Sequence, residues 1–236
     1  MKILANYSPN HSKKTRLKAN IKFVIIHYTG MQSEIESINR LKNPRYKVSC
    51  HYFINRRGIV TRMVEDRNIA WHAGKSKWKQ YVNLNKYSLG IELTNKGHKF
   101  GYQKFSPRQI NSLIRLCKIL KKKYSIKKEN FLGHSDIAPL RKIDPGEKFP
   151  WKKLSSHQLG KWYIKKNKRI KAENPKKIRA LFFKNLKKIG YKYFSINKKN
   201  KRENRVIKSF QQHYLPEKVT GKISQKTLKI SHFLAN

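Results

Sequence analysis

Acidic residues are scarce: 12 Asp and Glu stand against 57 Lys and Arg in 236 residues, a formal charge of +45. A field of that size attracts polyanions, so nucleic acid is the first partner to weigh. Arginine is also in short supply, with 14 residues against 43 lysines. Guanidinium forks are favoured wherever phosphate or guanine is read bidentately. Lysine spread along the whole chain, among many Asn and Ile, reads as a composition bias and not as a binding groove. No specific nucleic-acid partner is expected.

Cys50 and Cys117 are the only cysteines, too few for a disulfide framework. One falls in an apparent strand and the other on the apolar face of an apparent helix, so both read as small buried hydrophobes. Long apolar runs are missing as well, and nothing approaches the roughly 20 residues needed to span a bilayer. Met1–Pro9 carries Lys2 but lacks the apolar stretch of a signal peptide, which leaves no visible route out of the cytoplasm. There is no internal repeat. Hydrophobic residues still make up 38% of the chain, enough for a real core at this length.

Residues 22–28 form a short β-branched and aromatic run that predicts a buried strand. Val48–Ile54 predicts a second strand, Asn55–Gly58 a turn, and Ile59–Val64 the returning arm of a hairpin. Tyr87–Thr94 predicts another strand, and Ser33–Arg40 has weak helical spacing. The clearest helix opens at Ser106-Pro107, a cap followed by proline at the first helical position. Ile110, Leu113, Ile114, Cys117 and Leu120 give it one apolar face. Strands mixed with helices indicate an α/β or α+β domain over residues 1–155, of unreadable strand order. Residues 156–174 lose apolar periodicity and read as a connection. Beyond it, Ile178–Ile189, Arg205–Tyr214 and Ser224–Leu234 predict a three-helix module over 175–236.

The densest chemistry lies in Gly133–Gly146, where His134, Lys142 and Asp144 share a loop stiffened by Pro139, Pro145 and Gly146. His27 stands far upstream, at the end of the apolar run Phe23–Thr29. Two imidazoles and one carboxylate suit a three-ligand zinc site with a position left for water, the layout of a hydrolytic metal centre.

Six motifs occur in order: Phe23–Thr29, Ser49–Tyr52, Ala70–Gly74, Gly90–Leu93, Gly133–Pro139 and Arg141–Gly146. Together they resemble the zinc-dependent N-acetylmuramoyl-L-alanine amidases, in particular those acting on anhydro-muropeptides and on intact peptidoglycan. The likeness covers about residues 20–155. It implies the zinc amidase fold, a mixed β-sheet flanked by helices, and one Zn2+ per chain held by His27, His134 and Asp144. It implies Glu92 as the general base and Lys142 as the group that stabilises the oxyanion. Peptidoglycan or muropeptides are the implied partners. His51 and His72 match family positions; His51 reads as structural, Trp71 and His72 are candidates either to border the substrate or to serve the structure, and Tyr28, next to the first ligand, is a candidate to face the substrate. His11, His98, His157, His213 and His232 lack partners at useful spacing and read as surface residues.

Other readings stay open here. Glu92 alternates with Ile91 and Leu93, so it could be the solvent side of an edge strand. The chain could bind peptidoglycan without cleaving it, or act as a charge-driven nucleic-acid binder. The tail Val206–Gln212, Pro216, Gly221 and Thr227-Leu228 resembles a peptidoglycan-binding module, with Thr220 where an aspartate often stands; a helical cap on the first domain is the alternative. The resemblance points to the cell envelope as compartment, and the missing export segment to the cytoplasm. Oligomeric state is not readable.

Overall fold

The computed structural model describes residues 1–164 and 174–236. The strands are β1 (Leu4–Ala5), β2 (His11–Thr15), β3 (Phe23–Tyr28), β4 (Tyr52–Ile54), β5 (Val60–Arg62), β6 (Asn68–Ala70), β7 (Lys77–Trp78), β8 (Tyr81–Val82), β9 (Ser88–Leu93) and β10 (Phe131–Gly133). The helices are α1 (Glu34–Lys42), α2 (Pro107–Tyr124), α3 (His134–Ile137), α4 (Trp151–Ser156), α5 (Pro175–Ile189), α6 (Glu203–Tyr214) and α7 (Gln225–Ala235). No helix among the described residues is long and apolar enough to cross a membrane. Residues 165–173 of the predicted connection lie outside the described residues.

Six strands form one mixed sheet in the order β1-β5-β4-β9-β3-β10. Only β4 and β5 run antiparallel; the other neighbours are parallel. β3 and β9 are interior strands and are buried along most of their length, as expected of parallel strands covered on both faces. That position corrects one option for Glu92: its strand is central, not an edge.

Each sheet face has its own cover. Val24, Ile26, Leu89 and Ile91 pack against the α2 stripe of Ile110, Leu113, Cys117 and Leu120. Ser106 caps α2 by accepting from the Gln109 N–H, with Pro107 at the first turn and lysines in the last, where the helix dipole favours cations. The opposite face, Phe23 and Ile25 with Leu132 of β10, packs on Trp78 and Ile137. It shares one continuous cluster with Phe182, Phe183, Leu186, Phe210 and Leu228 of the three C-terminal helices.

The Val48–Ile54 strand is shorter than its composition suggests. Ser49 exchanges hydrogen bonds with Trp71 through its N–H and hydroxyl, and both the Met63 and Val64 N–H groups point at the His51 carbonyl. These crossed pairings leave only Tyr52–Ile54 in the regular ladder. Cys50 therefore sits in an irregular lead-in, still fully buried, and Cys117 lies on the buried face of α2.

Candidate active site

His27 is the fifth residue of β3, Glu92 the fifth of β9, and His134 follows directly on β10. Three neighbouring strand ends thus deliver chemistry to one edge of the sheet, where open α/β sheets bind ligands. Asp144 returns to the same point on the loop after α3. The Ser135 N–H donates to the Asp144 carbonyl at 2.8 Å and ties the two ends of that loop together. Gly133 is required here, since a Cβ would come within 2.7 Å of the Pro145 ring.

The side chains converge tightly. His27 Nδ1 lies 2.9 Å from His134 Nδ1, and each is 3.1 Å from Asp144 Oδ2. All three residues are buried. The outer ring nitrogens fix the tautomers. His134 Nε2–H donates to the Ala73 carbonyl at 3.1 Å, and Arg141 donates to that same oxygen. His27 Nε2–H donates to His72 Nδ1 at 3.0 Å, and His72 Nε2–H to the Ser88 hydroxyl at 3.2 Å; Ser88 in turn donates to the Leu84 carbonyl. Both inner Nδ1 atoms therefore present lone pairs to each other and to a carboxylate oxygen. Three lone-pair atoms at this spacing repel unless a cation lies among them. Ligands bound at 2.0–2.1 Å in tetrahedral array sit about 3.3 Å apart, so the set fits a small divalent ion.

Protonation favours the same use. Burial, then the neighbouring His134, lowers the His27 pKa to about 4, against the opposing pull of Asp144. Burial alone would raise Asp144, but the His134 and His27 imidazoles beside it outweigh that and hold it well below the usual carboxylate range. At neutral pH His27 is neutral and Asp144 ionised, the forms that coordinate a metal.

His72 belongs to this support. Gly90 makes room for it, because a Cβ at Gly90 would meet His72 Cγ at 2.4 Å. The Gly90-Ile-Glu92 segment thus places a gap for His72 and a carboxylate two residues apart on one strand face.

Glu92 and Lys142 open into a cavity of about 590 Å³ together with His27, His134 and Asp144. Glu92 Oε2 is buried and finds no hydrogen-bond partner among the described residues. Burial, reinforced by the Asp144 charge, pushes the Glu92 carboxyl up to about 8, while Lys142 draws it down. A carboxyl in that state is poised to exchange a proton near neutrality. Tyr28 lines the same cavity and pairs through its hydroxyl with His98 Nδ1 at 2.9 Å; His98 Nε2 meets Glu147 at 3.1 Å. Trp71 is not among the lining residues; its indole N–H donates to the Ser12 hydroxyl at 3.2 Å. His51 is buried behind His72, with Nδ1 accepting from the Gly90 N–H.

His213 corrects the surface reading. It is 2% exposed and pairs with the buried Asp136 at 2.8 Å. The signal was present, since His213 lies beside Phe210 and Tyr214 on the apolar stripe of α6. His98 is exposed, but it is partnered by Tyr28 and Glu147 at the mouth of the site.

Comparison with known proteins places the whole chain. The family described as N-acetylmuramoyl-L-alanine amidase matches residues 17–147. The N-acetylmuramoyl-L-alanine amidase AmiD of Escherichia coli is 33% identical over 230 residues, 91% of this chain and 82% of that protein. The structure of AmiD with its substrate anhydro-N-acetylmuramic acid-L-Ala-D-gamma-Glu-L-Lys superposes with a TM-score of 0.80 at 30% identity, covering 94% of this chain and 91% of AmiD. Pseudomonas aeruginosa AmpDh3, solved with an anhydromuramic pentapeptide, gives a TM-score of 0.80 at 26% identity over 95% of each chain. The chain belongs to the N-acetylmuramoyl-L-alanine amidase family.

Proposed function

We propose that this protein hydrolyses the amide between N-acetylmuramic acid, or its anhydro form, and the L-alanine of peptidoglycan stem peptides. The observation that carries the reading is the meeting of His27, His134 and Asp144 in one cavity with Glu92, whose buried Oε2 has no partner among the described residues. His27, His134 and Asp144 hold one zinc ion in this reading. Zinc, when bound, supplies the Lewis acidity that polarises a carbonyl and acidifies water.

The remaining work falls to the protein. Glu92 takes the proton from the attacking water and hands it to the departing L-alanine nitrogen. A divalent ion held by His27, His134 and Asp144 would lower the Glu92 pKa from about 8 towards the ionised form that a base needs. Lys142, in the same cavity, offsets the negative charge that builds on the attacked oxygen. Arg40, Lys99 and Arg141 also line the cavity and attract the carboxylates of a stem peptide.

A protein that only binds peptidoglycan would have no use for Glu92 and Lys142 in this arrangement. The test is digestion of soluble anhydro-muropeptides beside purified sacculi, with and without a chelator. Release of free stem peptide that stops on chelation and returns with zinc is expected. Binding without release would support the non-catalytic alternative. Retention on DNA that falls steeply with salt and shows sequence or structure preference, without amide cleavage, would support the charge-driven one; nonspecific adhesion would not count.

A further inference from the structure

The metal-facing loop is held from the far end of the chain. Asp136 lies two residues after His134 on a helix only four residues long. Its carboxylate is 1% exposed, and a buried carboxylate is tolerated only where donors surround it. Oδ2 accepts from the Gly133 N–H at 2.8 Å and meets His213 Nδ1 at 2.8 Å, while Oδ1 accepts from the Tyr191 hydroxyl at 2.5 Å. Gly133 closes the turn from within; His213 comes from α6 and Tyr191 from the loop that follows α5.

Both of those donors are themselves fixed. His213 is stacked between Trp151 and Tyr214, with ring centroids 3.9 and 4.0 Å away and interplanar angles of 13°. Tyr191 meets Trp78 edge-on at 4.8 Å. Trp78 closes over the preceding Gly190, where a Cβ would come within 2.6 Å of the indole. The Lys79 N–H donates to the Gly190 carbonyl at 2.9 Å and completes that seam. Arg205 of α6 donates to the Leu140 carbonyl at 2.5 Å, further along the loop between His134 and Asp144.

We infer that Asp136, clamped by His213 and Tyr191, is a positioning residue that makes the C-terminal helices part of the metal site by fixing His134. The inference rests on the reading of His134 as a metal ligand. Groups that orient ligands in this way change metal affinity by about 10–100-fold when removed. A module that served solely to anchor the enzyme to its polymer would need none of these contacts.

The test uses the full-length chain loaded with cobalt, whose visible bands report ligand geometry, and zinc affinity measured by competition with a chelator. Tyr191→Phe removes one hydroxyl and keeps the ring packed. His213→Leu removes the second donor, and His213→Asn restores an N–H near the Nδ1 position. Tyr191→Phe and His213→Leu are expected to shift the cobalt bands and weaken zinc about 10–100-fold, with His213→Asn recovering towards wild type. Should His213→Leu fail to fold, Tyr191→Phe and His213→Asn carry the comparison. Lower melting temperatures with unchanged bands and affinity would make the clamp merely structural and overturn the inference. A wild-type protein that takes up neither metal would instead overturn the metal reading, and the inference with it.

Discussion

His27 and Glu92 face each other as register partners on the parallel strands β3 and β9. Adjacent strands lie about 4.8 Å apart and register partners share a sheet face. The sheet itself therefore sets the separation between a ligand imidazole and the proposed base, with no loop involved. Sites carried on strands keep their geometry when loops move.

The two residues should then fail differently. His27→Ala removes one of three ligands and is expected to abolish both turnover and stoichiometric zinc. Glu92→Ala should abolish turnover, by at least about 100-fold as for a positioned acid–base group, yet retain zinc. Metal analysis of both purified variants beside a muropeptide assay separates the outcomes. Zinc loss from Glu92→Ala equal to that from His27→Ala would make Glu92 a ligand and end its assignment as base.

The raised pKa of Glu92 has a consequence for stability. Its folded pKa of about 8 lies above the ordinary carboxylate value, so between the two the native state binds more protons than the unfolded chain. Stability contributed by the protonated form is complete below the unfolded value and is lost as pH rises through about 8. Glu92→Gln in metal-free protein is expected to raise the melting temperature by a few degrees at pH 8 and to change it little at pH 4. Calorimetry at the two pH values decides the matter. A gain at pH 4 as large as at pH 8 would mean that burial of the charge is not its source.

Strand and helix content was legible where periodicity was strong. The apolar run of β3, the alternating residues of β9 and the capped stripe of α2 all form as their patterns dictate. The Val48–Ile54 strand was not legible in full, because the Ser49–Trp71 pairing that interrupts it joins residues 22 apart in sequence. His27 and His134 are 107 residues apart, and spacing alone says nothing of their meeting. The ordered motifs were what implied it. His72 bridging His27 to Ser88 went unread, because a side chain lying over Gly90 leaves no trace but the glycine itself. The Asp136–His213 pair was missed because its members lie 77 residues apart, and the apolar stripe of α6 marks His213 as buried without naming its partner.

Gly90 and His72 should prove interdependent. Gly90→Ala drives a Cβ into the His72 ring, an overpacking expected to cost about 1–3 kcal/mol and to loosen the hydrogen bond that orients His27. His72→Ala removes that bond without overpacking and should weaken zinc about 10–100-fold. The double variant relieves the clash, so its stability should exceed that of Gly90→Ala alone while its zinc affinity stays low. Melting curves and chelator competition on the three variants check this. Strictly additive stability losses would show that the two side chains do not meet.

A separate polar cluster should govern acid stability. Asp66 is buried, which by itself would raise its pKa, but hydrogen bonds from Lys123, Tyr124 and Tyr52 outweigh burial and leave it below the ordinary value. Oδ2 lies 2.8 Å from Lys123 Nζ and 2.5 Å from the Tyr124 hydroxyl, and Oδ1 is 2.5 Å from the Tyr52 hydroxyl. With the folded pKa depressed, the stabilisation is present above the unfolded value near 4 and is lost as pH falls through the folded one. Asp66→Asn should cost about 1–3 kcal/mol at pH 7, since three donors lose their charged acceptor. That difference should shrink as pH drops below about 4, where the wild-type carboxylate protonates too. Urea unfolding of both proteins across pH 3 to 7 measures it, and a constant gap over that range would show that ionisation of Asp66 does not stabilise the fold.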